Sequence, residues 1–297
     1  MLIKKAHPRT GTRLQRLFAT IRQSSCCFLL LAATNVCFAQ TEWRDLFDEK
    51  LSQWEVFLGV PRPETKVAGY AYAKNKPIGL RDPKGVYTVR MLDGEPVLFV
   101  SGEILGGLTT LKNFKNYHLR FQFAWEEKKW PPRLALPRDS GLLYHCIGAH
   151  GAHDNVWMRS VEYQIQEDDV GDFYPLCGTQ ADFPAIQEGK KLRSSPGAPL
   201  VLAKGRVLRG KDYHEKPNGE WNTAEILAVG NDAFHLLNGR VVNILRDINY
   251  LEDTGTDVKK VFLGAGKLQI QSEYAAIKYR RMQIKAATKL PNTLSRK

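Results

Sequence analysis

Cysteine is scarce in this chain where it would count. Three of its five cysteines (26, 27 and 37) crowd into the first 37 residues, leaving Cys146 and Cys177 for the remainder. No CxxC pair exists, which removes zinc ribbons and dithiol redox motifs. The remaining pair leaves two arrangements open, one disulfide or two separate thiols. Long apolar runs are missing as well: none reaches the roughly 18 residues of a membrane-spanning helix. No extended 3.6-residue period appears and no segment repeats, which argues against helical bundles and solenoids. The first 39 residues contain no acid.

That acid-free start holds Lys4, Lys5, Arg9, Arg13, Arg16 and Arg22, followed by the apolar stretch CCFLLLAATNV (26–36) and Cys37-Phe38-Ala39. This is the pattern of a cleaved export signal over residues 1–39, and predicts a periplasmic or extracellular protein. The whole chain carries 43 Lys and Arg against 31 Asp and Glu, a net charge of +12; with the six leader bases removed the balance is 37 against 31, or +6. The remaining bases are dispersed and not interleaved with aromatics, so a nucleic-acid partner is not expected.

From Glu42 onward the chain reads mainly as strands. In YHLRFQFAW (117–125), Tyr117, Leu119, Phe121, Phe123 and Trp125 alternate with His118, Arg120, Gln122 and Ala124. Hairpins are predicted around Asp93-Gly94 in 85–102 and around Asn238-Gly239 in 233–245, the latter suited to a type I′ turn. In AAIKYRRMQIK (275–285) the apolar set shifts by one, which predicts a bulge near Arg280-Arg281. Many short strands separated by turn signals indicate an all-β sandwich or jelly roll. Residues 172–220, rich in proline and glycine, read as a long binding loop or lid, and 287–297 as a basic tail.

Three stretches could carry chemistry. In DSGLLYHC (139–146) strict alternation puts Asp139, Gly141, Leu143 and His145 on one face. His145 is then a candidate general base or metal ligand, or else a hydrogen-bonded surface histidine. His150 and His153 follow in GAHGAHDN, on a glycine-rich loop that fixes no ligand geometry. In VEYQIQEDDVGDF (161–173), Glu162, Gln164 and Gln166 share a face, and such a ladder of carboxylate and amides suits sugar hydroxyls as well as solvent. Glu167, Asp168, Asp169 and Asp172 come next, without the EF-hand spacing. Trp221, in NGEWNTAEI, could stack on a sugar ring or plug the sandwich edge.

In order and spacing, LFDEKLSQWEV (46–56), GGLTT (106–110), NYHLRFQFAW, DSGLLYH, VEYQIQEDDVGDF, GEWNTAEI, LNGRVV and GKLQIQSE (266–273) together resemble the 3-keto-disaccharide hydrolase domain. The resemblance spans roughly residues 42–286, and a domain of 40–286 is expected. It implies a concanavalin A-like β-sandwich, or jelly roll, of two antiparallel sheets with a sugar-binding concave face. It also implies cleavage of glycosides already oxidised to a ketone at sugar carbon 3. A base removes the carbon-2 proton, the enediolate expels the group on carbon 1, and water adds back. On this resemblance His145 would act as base or metal ligand and Glu162 as acid or base. Asp139, Gln164, Gln166, Asp172 and Trp221 would hold the sugar, and a divalent metal could polarise the ketone. The expected partner is a carbohydrate. Gln164 stands where laminarinase-type enzymes of the same scaffold carry an acid, which speaks against a two-carboxylate retaining glycosidase. A non-catalytic sugar-binding module and a structural envelope protein are the alternatives.

Overall fold

A computed structural model describes residues 42–211 and 215–291; the predicted leader and the end of the basic tail lie outside them. The only helical pieces among these residues are two 3-10 turns, Tyr72–Lys74 and Arg133–Ala135. Everything else regular is strand, arranged as the jelly-roll sandwich that the alternation predicts.

One antiparallel sheet runs Tyr87–Leu92, Glu95–Val100, Ala275–Ala286, Tyr117–Lys129, Asn222–Val229, Asp232–Leu237 and the first half of Arg240–Asp253. The other runs Trp54–Leu58, Gly106–Thr110, Ala265–Ser272, Asp139–Ile147, Arg159–Gln166 and Phe173–Leu176. Inward-facing Leu119, Phe121 and Phe123 of the first sheet meet Leu142, Tyr144, Val161, Tyr163 and Ile165 of the second, all buried. Phe121 and Tyr163 touch edge to face across the interface, with ring centroids 6.2 Å apart. Each such side chain contributes about 1.5–3 kcal/mol by leaving water. Two polar pairs enter this core: the Tyr144 hydroxyl with His235 Nε2 at 2.9 Å, and Ser140 with the Tyr279 hydroxyl at 2.8 Å.

Both hairpins form where turn chemistry places them. Asp93-Gly94 and Asn238-Gly239 each adopt positive φ at both positions, as type I′ turns require. The register of Ala275–Ala286 slips between Arg280 and Gln283, with Arg281 at φ 50°, which is the expected bulge.

The expected loop over 172–220 is instead largely ordered into short strands. Phe173–Leu176, Thr179–Glu188, Lys191–Ser194, Leu200–Ala203 and Val207–Leu208 extend the second sheet and meet the second half of Arg240–Asp253. Proline and glycine here punctuate strands instead of abolishing them. Thr179–Glu188 pairs with Arg240–Asp253, so the two sheets join along that flank.

Cys146 and Cys177 are both free thiols in the structure, which resolves the open pairing. Cys146 is buried, and burial pushes its thiol well above the usual range.

Candidate functional site

In the second sheet, even-numbered residues of Asp139–Ile147 face the core, so Asp139, Gly141 and Leu143 face out. On the neighbouring Arg159–Gln166 strand the outward set is Glu162, Gln164 and Gln166. The register sets Asp139 opposite Gln166, Gly141 opposite Gln164 and Leu143 opposite Glu162. From the other side, Ala265–Ser272 brings Gln269 and Gln271 to the same face, and Glu273 follows at its end. Asp139, Glu162, Gln164, Gln166, Gln271 and Glu273 line a cleft of about 230 Å³, with Arg133 at one end and Tyr174 and Arg206 at the other. Asp139, Glu162, Gln164 and Gln166 therefore share one site, as the alternation implied.

A small second hydrophobic cluster makes the cleft's shoulder. Val156, Trp157 and Met158 of the glycine-rich segment pack on Leu143 and Leu176 of the sheet. Trp157 Nε1 donates to the Gly106 carbonyl at 3.1 Å. This sets His153 on the cleft rim. His150 turns away, stacked on Phe57 with centroids 4.9 Å apart and its Nε2 3.3 Å from Glu55.

The cleft's electrostatics centre on three carboxyls and one arginine. Arg133 leaves the Pro131-Pro132 turn, which is anchored by hydrogen bonds from the Trp130 backbone nitrogen to the Tyr274 carbonyl and from Trp130 Nε1 to the Ser101 carbonyl. Its Nη2 donates to Asp139 Oδ2 and, at 2.7 Å, to Glu273 Oε1. Asp139 Oδ1 is buried without a partner.

Glu162 is 4% exposed and has no cation within ion-pairing distance among the described residues. Burial, together with the negative charges of Glu273 and Asp139, raises its carboxyl well above the usual range. Burial also raises Asp139, helped by the charge of Glu273, and raises Glu273, helped by the charge of Asp154, with Arg133 opposing both. Three carboxyls beside one arginine cannot all ionise, and the one the arginine does not touch is where a proton rests. Glu162 is hydrogen-bonded to Gln271, whose Oε1 is buried without a donor.

Both side chains lean over Gly141. A β-carbon there would overlap Glu162 Oε1 and Gln271 Oε1. Gly141 has no positive φ, so here glycine provides space rather than a turn.

Three of the four acids after Glu162 are bound by arginines. Arg138 Nη1 lies 2.5 Å from Glu167 Oε1, and Asn218 Nδ2 donates to the same oxygen at 2.6 Å. Arg206 Nε donates to Asp172 Oδ2 at 2.8 Å, while its Nη2 lies 2.6 Å from Asp169. The Arg209 backbone nitrogen donates to Asp172 Oδ1 at 2.8 Å. Asp172 is fully buried, so it does not face a sugar directly; it fixes Arg206, which does line the cleft. Among the described residues, no group of three or more His, Cys, Asp or Glu side chains is arranged to hold a metal ion.

Two expected site residues lie elsewhere. The pairing slips between Tyr144 and Ile147, and His145 takes φ 54°, so strict alternation ends one residue before it. His145 points into the core, fully buried, edge-on to Tyr117 and Tyr144, with Nδ1 2.9 Å from the Leu263 carbonyl. It therefore faces away from the cleft and reaches neither Glu162 nor a common substrate. Trp221 belongs to the other sheet. Arg280 stacks on it at 4.1 Å and Lys278 lies 5.5 Å away. A larger groove of about 580 Å³ opens on that sheet, lined by Arg90, Phe99, Glu126 and Lys278, but it holds no buried carboxyl cluster.

Arg133, Glu273, Gln271, Arg206 and Tyr174 enter the site without having been singled out from sequence. For Gln271 and Glu273 the signal was present: GKLQIQSE alternates as EYQIQ does and offers Gln269, Gln271 and Glu273 on one face.

Residues 42–285 match the model of a family described as the 3-keto-alpha-glucoside-1,2-lyase-like domain. No curated protein matches the chain. Among solved structures, a protein of Parabacteroides distasonis ATCC 8503 named as a candidate glycosyl hydrolase is 16% identical. The match covers 82% of this chain and 99% of that one, with a TM-score of 0.46. A Bacillus subtilis protein of unknown function with a galectin-like fold is 12% identical over 85% of this chain and 98% of its own, TM-score 0.45. The carbohydrate-binding module CBM66 of Bacillus subtilis is 8% identical over 67% and 92%, TM-score 0.40.

Proposed function

Because the chain belongs to the 3-keto-alpha-glucoside-1,2-lyase-like domain family, we propose that its cleft cleaves glycosides carrying a ketone at carbon 3, after export from the cytoplasm. The observation that carries this reading is the pairing of a buried Glu162, untouched by any cation among the described residues and raised toward the protonated form by that burial, with an arginine-held Asp139 in one polar cleft.

Asp139 is the base. Arg133 holds its Oδ2 and leaves Oδ1 to take the carbon-2 proton, which the adjacent ketone has acidified. The carbon–hydrogen electron pair forms a carbon-2–carbon-3 double bond, and the ketone oxygen becomes an enediolate oxygen. The guanidinium groups of Arg133 and Arg206 supply positive charge toward that oxygen. The enediolate collapses back to the ketone, a carbon-1–carbon-2 double bond forms, and the carbon-1–oxygen bond breaks. Glu162 gives its proton to the departing oxygen. Water then adds its hydroxyl to carbon 1 and a proton to carbon 2, so elimination followed by hydration amounts to hydrolysis. The amides of Gln164 and Gln166 hold hydroxyls. No step in this sequence needs the paired, ionised carboxylates of a retaining glycosidase.

The test offers a 3-keto-disaccharide and its unoxidised parent to the purified protein. Cleavage of the first alone supports the proposal. Cleavage of neither, with or without added divalent metal, refutes it; retention of glycans without turnover identifies a sugar-binding module.

A further inference from the structure

We propose that Tyr174 is the platform on which the leaving-group sugar stacks, and that it sets the preference for a sugar over a small alcohol at that position. The inference rests on the reading of the cleft as a 3-keto-glycoside site and adds a direction to it.

Three observations carry it. Tyr174 is directly opposite Glu162 in the pairing of Phe173–Leu176 with Arg159–Gln166. Side chains so paired on one face have β-carbons about 4.5–5.5 Å apart, so Tyr174 rises from the strand beside the one that carries the proton donor. Tyr174 is also 39% exposed, whereas the other aromatic ring of the cleft, Trp157, is 5% exposed and has its Nε1 committed to Gly106. Among the described residues the Tyr174 hydroxyl makes no hydrogen bond and its ring meets no other ring or cation, so its face is available. Finally, a cleft of about 230 Å³ is small beside the roughly 300–1,000 Å³ of ordinary ligand pockets. It encloses one sugar ring and leaves the next at the mouth.

Chemistry supplies the direction. The proton from Glu162 goes to the oxygen that leaves, so the leaving group departs on the Glu162 side, toward Tyr174. The oxidised ring then sits at the opposite end, beside Asp139 and Arg133. A sugar ring presents an apolar face of C–H groups to an aromatic ring, and a methyl group presents almost none.

The experiment compares a 3-keto-disaccharide with the corresponding methyl 3-keto-glycoside on wild type, Tyr174→Ala and Tyr174→Phe. Tyr174→Ala is expected to raise KM for the disaccharide about three- to tenfold, the scale of one stacked ring. It should leave the methyl glycoside within twofold, and Tyr174→Phe should behave as wild type. Equal effects on both substrates, or no effect on either, overturn the inference. If wild type cleaves neither substrate, the function proposed above has failed and the inference is read from calorimetry. Weaker disaccharide binding to Tyr174→Ala than to wild type then sustains the platform, and equal binding overturns it.

Discussion

Glu162 and Gly141 occupy neighbouring strands so that the glutamate's Oε1 fills the place a β-carbon on residue 141 would take. The absence of one carbon thus sets the position of the proposed acid. Gly141→Ala keeps a backbone that alanine adopts without strain, but pushes the Glu162 carboxyl off its partner Gln271. It is expected to lower kcat on a 3-keto-disaccharide about 10²-fold, the lower end of general acid–base contributions, with the circular dichroism spectrum unchanged. A kcat within threefold of wild type would remove Gly141 from the account.

Glu162 also has a pH signature. Burial and its acidic neighbours raise its folded pKa above the ordinary value of 4.5. The folded chain therefore keeps a proton that the unfolded chain releases, and stability falls as pH rises from about 4.5 to the folded pKa. Glu162→Gln removes that penalty. Its Tm should exceed that of wild type by a few degrees at pH 8 and equal it at pH 4, while cleavage is lost. A Tm difference independent of pH would mean that Glu162 is ionised in the cleft.

His145 acts on the opposite limb. Burial lowers its pKa from 6.5 to about 4, and His235, also buried, behaves alike. The unfolded chain then binds protons that the folded chain refuses, so stability falls as pH drops from 6.5 to about 4, by at most about 3 kcal/mol for each histidine. His145→Asn should flatten this acid limb, seen by urea unfolding at pH 7 and pH 5, and leave kcat within twofold at pH 7. A large loss of kcat with unchanged KM would return His145 to the chemistry.

Trp221→Ala tests the separation of the two sheets. Its ring is held by Arg280 and Lys278 on the face away from the cleft, so KM and kcat should both stay within twofold. A KM increase beyond fivefold would place a substrate contact on that sheet.

The sandwich was legible because its signals are local. Alternation in 117–125 and 161–166 and the turns at Asp93-Gly94 and Asn238-Gly239 depend on a few adjacent residues. The ladder Glu162, Gln164, Gln166 came from the same two-residue period, and Asp139 joined it through its own strand. His145 did not, because a bulge between Tyr144 and Ile147 reverses its direction. That bulge belongs to the pairing with strands far away in sequence, where Gly266 passes too close to residues 145 and 146 for a side chain. Arg133 and Glu273 meet across 140 residues, a contact that no local pattern encodes. Trp221 drew notice as an aromatic residue at a strand mouth, but which sheet that strand joins is a matter of topology.

The central claim is that carbon 2 loses its proton before the glycosidic bond breaks. The most direct measurement incubates wild type with a 3-keto-disaccharide in deuterium oxide and tracks the released oxidised sugar by NMR, with Glu162→Gln and enzyme-free samples as controls. The account predicts cleavage by wild type alone, with deuterium at carbon 2 of every product molecule. Cleavage that leaves the original hydrogen on carbon 2, or equal cleavage of the unoxidised disaccharide, would contradict it.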